Sequence, residues 1–485
     1  MLFVTDEFLV FFLIVYLLFW VVSDRLRMPL LIGASLLFYA TWSFLFTFHL
    51  LLVVLVNYLV MELWRIYQKK WIFVALQLAN VANIGVYKYY YFFIDAIGRI
   101  IGNPALFEEN LRHADRLAGT EIFLPLAISF YTFQIMAYGF DIYRGVYAER
   151  HTFSEVLLFK SFFPQLIAGP IMRSSELLPQ IREMGLGNGP RPDANMHKKG
   201  LWLVLIGVTK KVLVADQLVR YVSPLFYAST DPSVPFTFDP LVIWSGVFAC
   251  LVMLYADFSA YSDLARGFGY LLGFEIPINF KAPFFMTSIS DFWRRWHLTF
   301  SRWIRDYIYI PLGGSRVGES RMYLNYVITF TIGGLWHGAS YPFLIWGLGV
   351  GLWISLENFL ERRGVRMVPD NLALRVVRIA VAWIFLLVSS VFFFGPGAAY
   401  CGNAIAQMFH FTAFGSSELQ GLPGSEQFLY AVLASLIFHL FEERPVWFTW
   451  LRRYENWLLP VLGLALVIAI TQFAGQNKDF FYFQF

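Results

Sequence analysis

Charge is what this 485-residue chain has least of. Asp, Glu, Lys and Arg make up 14% of it, against about 25% in an average soluble domain. A soluble protein of this length needs far more charge to cover its surface. That excludes a disordered chain, a nucleic-acid module and an ordinary cytosolic enzyme. Cysteine is nearly absent as well. Cys250 and Cys401 lie far apart with no CxxC or Cys/His cluster, so neither a disulfide framework nor a zinc site is suggested. The chain has no HExxH, no GxSxG elbow, no Walker A loop and no GxGxxG fingerprint. Metalloprotease, serine hydrolase, ATPase and dinucleotide readings therefore lack support. No internal repeat is visible, which counts against an inverted-repeat transporter.

What is present is apolar. Hydrophobic types make up 58% of the chain, with 52 Phe, 26 Tyr and 16 Trp. The expected fold class is an all-α polytopic membrane protein, with about 11–13 transmembrane helices plus re-entrant and interfacial ones. Apolar runs fall at 8–22, 28–46, 47–63, 71–93, 120–142, 200–219, 241–256, 323–358 (a hairpin), 379–395, 427–441 and 457–473. Asp6 and Glu7 precede the first run, and Arg25 and Arg27 follow it. This charge order is not that of a cleavable signal, and it predicts an N-terminus outside the cytoplasm. Alternating sides from there puts 29 of the 37 basic residues in inside segments. Only five fall outside, in 94–119, 220–240, 396–426 and 474–485. The alternation places both termini outside. The net charge of +4 reads as positive-inside anchoring. One membrane domain is expected, with N-terminal helices 1–120, a core over about 121–395 and C-terminal helices 396–485.

Two segments break the pattern. In 257–322, Trp293, Trp296, Phe300 and Trp303 interleave with Arg294, Arg295, Arg302 and Arg305. It is too aromatic for a solvated loop and too charged for a span, so interfacial helices fit best. The hairpin 323–358 is interrupted near its middle by Gly333, Gly334 and Gly338. His337 sits at that bend, in a stretch with no charged residue from 322 to 356. An ionisable group in such surroundings marks a functional site by default, and a neutral imidazole there can accept a proton. A hydrogen bond to a backbone carbonyl at the helix break is the plainer alternative.

His297, in WRRWHLTFSRWIRDY (293–307), reads first as an interfacial histidine among arginines facing lipid phosphates. Asp257 and Asp263 flank the polar patch DFSAYSD, where capping or pairing with Arg266 is the plainer role. Lys210, Lys211 and Asp216 are expected to pair and hold two helices together.

Together the segments resemble the membrane-bound O-acyltransferase (MBOAT) family, in its bacterial alginate O-acetyltransferase-like branch. They are LPLAISFYTFQIMAYGFDIYRG (124–145), FPQLIAGPIMR (163–173), GVTKKVLVAD (207–216), DFSAYSDLARGFGYLLGFEIPINFKAPF (257–284), WRRWHLTFSRWIRDYIYIPLGGSR (293–316), GGLWHGASYPFLIWG (333–347) and the terminal FYFQF (481–485). The resemblance implies helices around a central funnel or tunnel, with His337 as the catalytic histidine and His297 as a second one on the cytoplasmic side. It implies no tightly bound cofactor, and acetyl-CoA as the co-substrate. The implied acceptor is a hydroxyl of an exopolysaccharide or of an SGNH-type extracytoplasmic acetyltransferase partner, reached from a bacterial inner membrane. Trp293, Trp296, Trp336, Asp263, Arg294 and Arg295 are the expected substrate-binding residues. Basic side chains of 257–322, Lys281 and Arg302 among them, suit the coenzyme A phosphates. Membrane lipid is expected as a further partner, and nucleic acid is not. Transfer of another acyl group such as D-alanyl, a transporter, and a scaffold of a secretion complex are the alternatives.

Overall fold

The structure is a computed structural model that describes residues 3–103, 125–147, 149–226, 239–365, 371–410, 424–443 and 453–473. Among these residues the regular elements are helices, and no strand occurs. Four helices among the described residues are long and apolar enough to cross a membrane: Phe44–Tyr67, Pro240–Leu271, Tyr341–Arg362 and Leu372–Phe394. The fold is all-α and that of a polytopic membrane protein. The terminal FYFQF motif and the outside segment expected at 474–485 lie outside the described residues, as do residues 104–119, 227–238 and 411–423 of the outside segments expected at 94–119, 220–240 and 396–426.

The chain falls into two compact units. The first takes in residues 3–194 and 269–276. Its opening helix, Asp6–Val21, starts where the Thr5 hydroxyl accepts the Phe8 N–H and where Asp6 and Glu7 sit in the first turn. Phe8, Phe11, Phe12, Val15 and Phe19 face inward, while Leu9, Val10, Leu13 and Leu17 are exposed. Such an apolar outer face is a liability in water and is the ordinary lipid-facing surface of a spanning helix. Polar groups inside this unit are matched to one another. Asn57 and Asn80 exchange two amide hydrogen bonds at 2.9 and 2.8 Å, across the helices Phe44–Tyr67 and Lys70–Ile84.

The sequence places 143–199 among the inside loops, yet here the chain is folded into short helices. Phe153–Ser161 begins with a reciprocal cap between Thr152 and Glu155, and Ser174–Glu183 follows. Lys160, counted above among the cytoplasmic charges, is completely buried with its ammonium 3.7 Å from the Phe159 ring centroid. Burial holds its amine well below the ordinary lysine range.

The second unit takes in 195–268 and 277–485. Its axis is Pro240–Leu271, of whose most apolar stretch 78% is buried, against 28% for Phe44–Tyr67. The former is a core helix and the latter mostly faces outward. The sequence ends this span at 256 and assigns DFSAYSD to a segment beyond it. Instead the helix continues unbroken to Leu271. It can do so because the buried carboxylates have cations. Lys211 lies 2.8 Å from Asp257 and 2.9 Å from Asp216, and Lys210 lies 2.8 Å from Asp263 and 2.9 Å from Glu442. The wide turn Lys211–Ala215 has the five-residue spacing of a π turn, which puts Asp216 beside Lys211. The expected helix-holding role of these lysines is what the geometry shows.

The hairpin is also sharper than expected. Its legs are Glu319–His337 and Tyr341–Arg362, and the break is confined to 338–340. Gly333 and Gly334 do not interrupt the first leg. A Cβ on Gly334 would lie 2.3 Å from the Phe343 carbonyl oxygen, and one on Gly347 would lie 2.4 Å from that of Phe330. These glycines let two backbones touch, the close approach that small residues give to membrane helices.

Candidate active site

His337 is the last residue of its helix and is 5% exposed. Rings packed around it include Trp336 at 4.8 Å, Phe393 at 4.9 Å, Trp346 at 5.4 Å, Phe300 at 6.1 Å and Phe343 at 6.2 Å, centroid to centroid. It opens onto a cavity of about 30 Å³ lined also by Leu251, Leu254, Phe292, Trp293, Trp296, Trp346, Leu386, Ser390 and Phe393. At roughly 10–15 Å³ for each water centre, that is room for about two waters. The cavity is apolar apart from the imidazole, the serine hydroxyl and the indole N–H groups, so His337 is positioned to exchange a proton with a small guest.

A second void of about 450 Å³ opens beside it. Arg294, Arg302 and Arg305 line it together with Ser290, Ser301 and Asn358, over a floor that includes Trp293, Leu298, Phe330 and Ile354. Its size is that of a small-molecule site. Arg305 is bound to Asp306 at 2.7 Å; the Arg294 and Arg302 guanidiniums over an apolar floor suit an anionic, partly aromatic ligand, because guanidinium grips phosphate through two parallel N–H bonds. Trp293 lines both voids.

The short helix Ile289–Trp293 places that indole, and a carboxylate from the hairpin fixes the helix. Glu357 accepts the Ile289 N–H at 2.8 Å and the Trp353 indole N–H at 3.0 Å on one oxygen. On the other it accepts the Ser290 N–H at 2.9 Å and the Ser290 hydroxyl at 2.6 Å. The anion thus satisfies N–H groups that a helix start leaves open.

His297 is arranged differently. It has the left-handed φ of 43°, uncommon outside glycine, and is 1% exposed. The Thr299 N–H and hydroxyl both donate to Asn279 Oδ1, at 3.2 and 2.9 Å, and Asn279 Nδ2 donates to Ser262 at 3.1 Å. Oδ1 is therefore the acceptor, so His297 Nδ1, 3.1 Å away, carries the hydrogen and Nε2 the lone pair. Nε2 is buried without a hydrogen-bond partner, and burial pushes the imidazole down to about 3. His297 lines neither void. It connects to His337 through the stacked rings of Phe300 and Trp336, which are 4.2 Å apart.

The structure thus sorts the residues singled out from sequence. His337, Trp293 and Trp296 share the small cavity, and Arg294 lines the cationic pocket. Trp336 packs behind His337 and lines neither void. Arg295 is bound to Asp291 at 3.2 Å and Glu443 at 2.8 Å, and Asp263 is held by Lys210, so both act in ion pairs. Sequence reasoning missed Glu357, Asn279, Trp346, Ser390 and Phe393. Glu357 had one signal, as the first acid after a long uncharged run; the others look like ordinary core positions.

Comparison with known proteins bears on this arrangement. Residues 146–395 match the family model of the membrane-bound O-acyltransferases, MBOAT. The probable alginate O-acetylase AlgI of Pseudomonas aeruginosa is 32% identical over 459 residues, covering 92% of this chain and 83% of that protein. The peptidoglycan O-acetyltransferase of Helicobacter pylori is 34% identical over 73% of this chain and 70% of its own length. The teichoic acid D-alanyltransferase of Bacillus subtilis is 25% identical over 56% of this chain and 68% of its own. The family match spans the hairpin, both voids and the long helix Pro240–Leu271, and the chain belongs to the membrane-bound O-acyltransferase family.

Proposed function

We propose that this protein is an O-acetyltransferase of a bacterial inner membrane. It takes the acetyl group of acetyl-CoA from the cytoplasmic side and passes it to a hydroxyl outside. The acceptor is an alginate-like or other exopolysaccharide, or an SGNH-type acetyltransferase partner that then modifies the polymer. The names of the relatives support acetyl as the acyl group and a cell-surface glycan as its destination. One observation carries the reading for this chain: the arginine-lined pocket and the His337 cavity share a single wall, the Trp293 indole.

The chemistry follows from that adjacency. Arg294 and Arg302 hold the phosphates of the donor, with the Asp306-bound Arg305 at the pocket's edge, and the thioester lies at the indole wall. His337 takes the proton of the acceptor hydroxyl as its oxygen attacks the thioester carbon. The C–S bond breaks as the C–O ester bond forms. The departing thiolate receives the proton, so the net change is thioester plus alcohol to ester plus thiol. Only the acyl group crosses; the polyanionic carrier stays behind.

The test uses the purified protein in sealed vesicles, with acetyl-labelled acetyl-CoA on the side of the arginine pocket and the acceptor on the other. Label should appear outside as an ester while free thiol accumulates inside. His337→Ala should lower the rate by about 10²–10⁴-fold with the protein still inserted. Intact acetyl-CoA on the far side would make the protein a transporter. Near-normal transfer by His337→Ala would remove the histidine from the chemistry.

A further inference from the structure

Assuming the acyl-transfer reading above, we propose that the cavity against His337 selects the acyl group itself. It admits an uncharged two-carbon acyl group and rejects longer and aminoacyl groups, with Trp293 and Leu386 as specificity-determining residues.

Size is the first argument. The space beside His337 is about 30 Å³, enough for about two waters. Its walls are rings braced on one another. Trp346 lies 5.9 Å from Trp293 and 5.1 Å from Phe393, and Phe393 lies 4.9 Å from His337. Such a wall does not yield by a simple rotamer change, because each ring's neighbour is another ring. Added methylenes must then displace packed aromatics, and a misfit of this kind is worth roughly 10–200-fold per methylene.

Charge is the second. No carboxylate lines the cavity; Ser390 is its one polar side chain besides His337 and the indole N–H groups. An aminoacyl group would bring an ammonium here with nothing to pair it, and an unpaired buried charge is far costlier than a buried methyl. The D-alanyl group in the name of the Bacillus subtilis relative therefore does not suit this chain's cavity.

The third is connectivity. Trp293 separates a cavity of about 30 Å³ from a pocket of about 450 Å³, so removing its indole lengthens the space open to an acyl chain. Leu386 lines the same cavity from the helix Leu372–Phe394, so shortening it enlarges the cavity while leaving that indole in place.

The experiment measures kcat/KM for acetyl-, propionyl-, butyryl- and alanyl-CoA. Alongside, it measures the affinity of the matching non-hydrolysable thioether analogues, using the wild-type protein and the variants Trp293→Leu and Leu386→Ala. The wild type should prefer acetyl over butyryl by at least about tenfold in both readouts, and should refuse alanyl. Each variant should narrow the acetyl-to-butyryl ratio through a rise in the butyryl value. Leu386→Ala keeps the test intact should Trp293→Leu fail to insert. Wild-type protein that handles acetyl and butyryl equally, or accepts alanyl as well as acetyl, overturns the proposal while acyl transfer stands. A wild type that transfers no acyl group from any thioester overturns the function itself. The analogue affinities then still decide whether the cavity measures acyl length.

Discussion

Glu357→Gln isolates the carboxylate that anchors the short helix carrying Trp293. Glu357 is 7% exposed and accepts four hydrogen bonds, two on each oxygen. An amide is nearly the same shape but has one acceptor, and its NH₂ faces two donors. If the oxygen keeps the Ile289 and Trp353 partners, the two bonds from Ser290 are lost. Bonds to a charged group contribute about 1.5–3 kcal/mol each. The Ser290 hydroxyl can turn and accept from the new NH₂, recovering about 1 kcal/mol. The expected loss is therefore about 2–5 kcal/mol, read as a shift in reversible SDS unfolding followed by tryptophan fluorescence. Arg294 follows that helix directly, so apparent KM for acetyl-CoA should rise as well. A loss below about 0.5 kcal/mol with unchanged KM would refute the idea that this anion holds the site together.

Three further outcomes are expected. Neutralising Arg294 and Arg302 together should raise KM for acetyl-CoA at least about tenfold with normal membrane yield, whereas Arg295→Gln should change stability more than KM, because Asp291 and Glu443 already occupy it; equal KM effects from both would contradict the pocket's outline. Lys211→Met should destabilise by about 3–5 kcal/mol, since it leaves Asp216 and Asp257 together without Lys211, and a neutral result in unfolding titrations would deny the ion pairs their role. His297 stays neutral in the folded protein down to about pH 3, while the unfolded chain binds its proton below the ordinary value of about 6.5. Its contribution to stability is thus complete above about pH 6.5 and declines as pH falls toward 3, so His297→Asn should flatten the acid side of the stability profile; identical profiles would show that the buried imidazole is not the source.

How much was legible beforehand depended on what each residue's signal was made of. The hairpin and His337 were legible because an ionisable group inside an uncharged stretch stands out against its neighbours. The lysines at 210 and 211 were legible for the same reason. The continuation of Pro240–Leu271 past 256 was not, because hydropathy treats Asp257 and Asp263 as breaks. Arg266, one turn on and 3.5 Å from Asp263, is the pairing the local sequence offered, but the closer cations, Lys210 and Lys211 at 2.8 Å, come from another helix, a fact held in the fold. Position alone likewise made Arg294 and Arg295 equivalent. Only the packing shows that one lines the pocket and the other is bound to two carboxylates. Gly334 reads as a helix breaker, yet it and Gly347 serve backbone contact. Asn279 gave no signal of its own, because its effect is to choose which nitrogen of His297 bears the hydrogen.

The rings around His337 also bear on the membrane potential. A site that lets an acyl group pass between two aqueous compartments must not let protons or ions follow it. Each elementary charge falling through 100 mV releases about 2.3 kcal/mol. Trp293, Trp296, Trp346 and Phe393 leave space for only a water or two beside the imidazole. With that little space no continuous file of water forms past them, and a permeating cation would lose its hydration shell against hydrocarbon. The aromatic wall is thus an electrical insulator as well as a chemical boundary. On the proposed function, a cell would run acyl export through many copies of this protein without short-circuiting the gradient that feeds its other pumps.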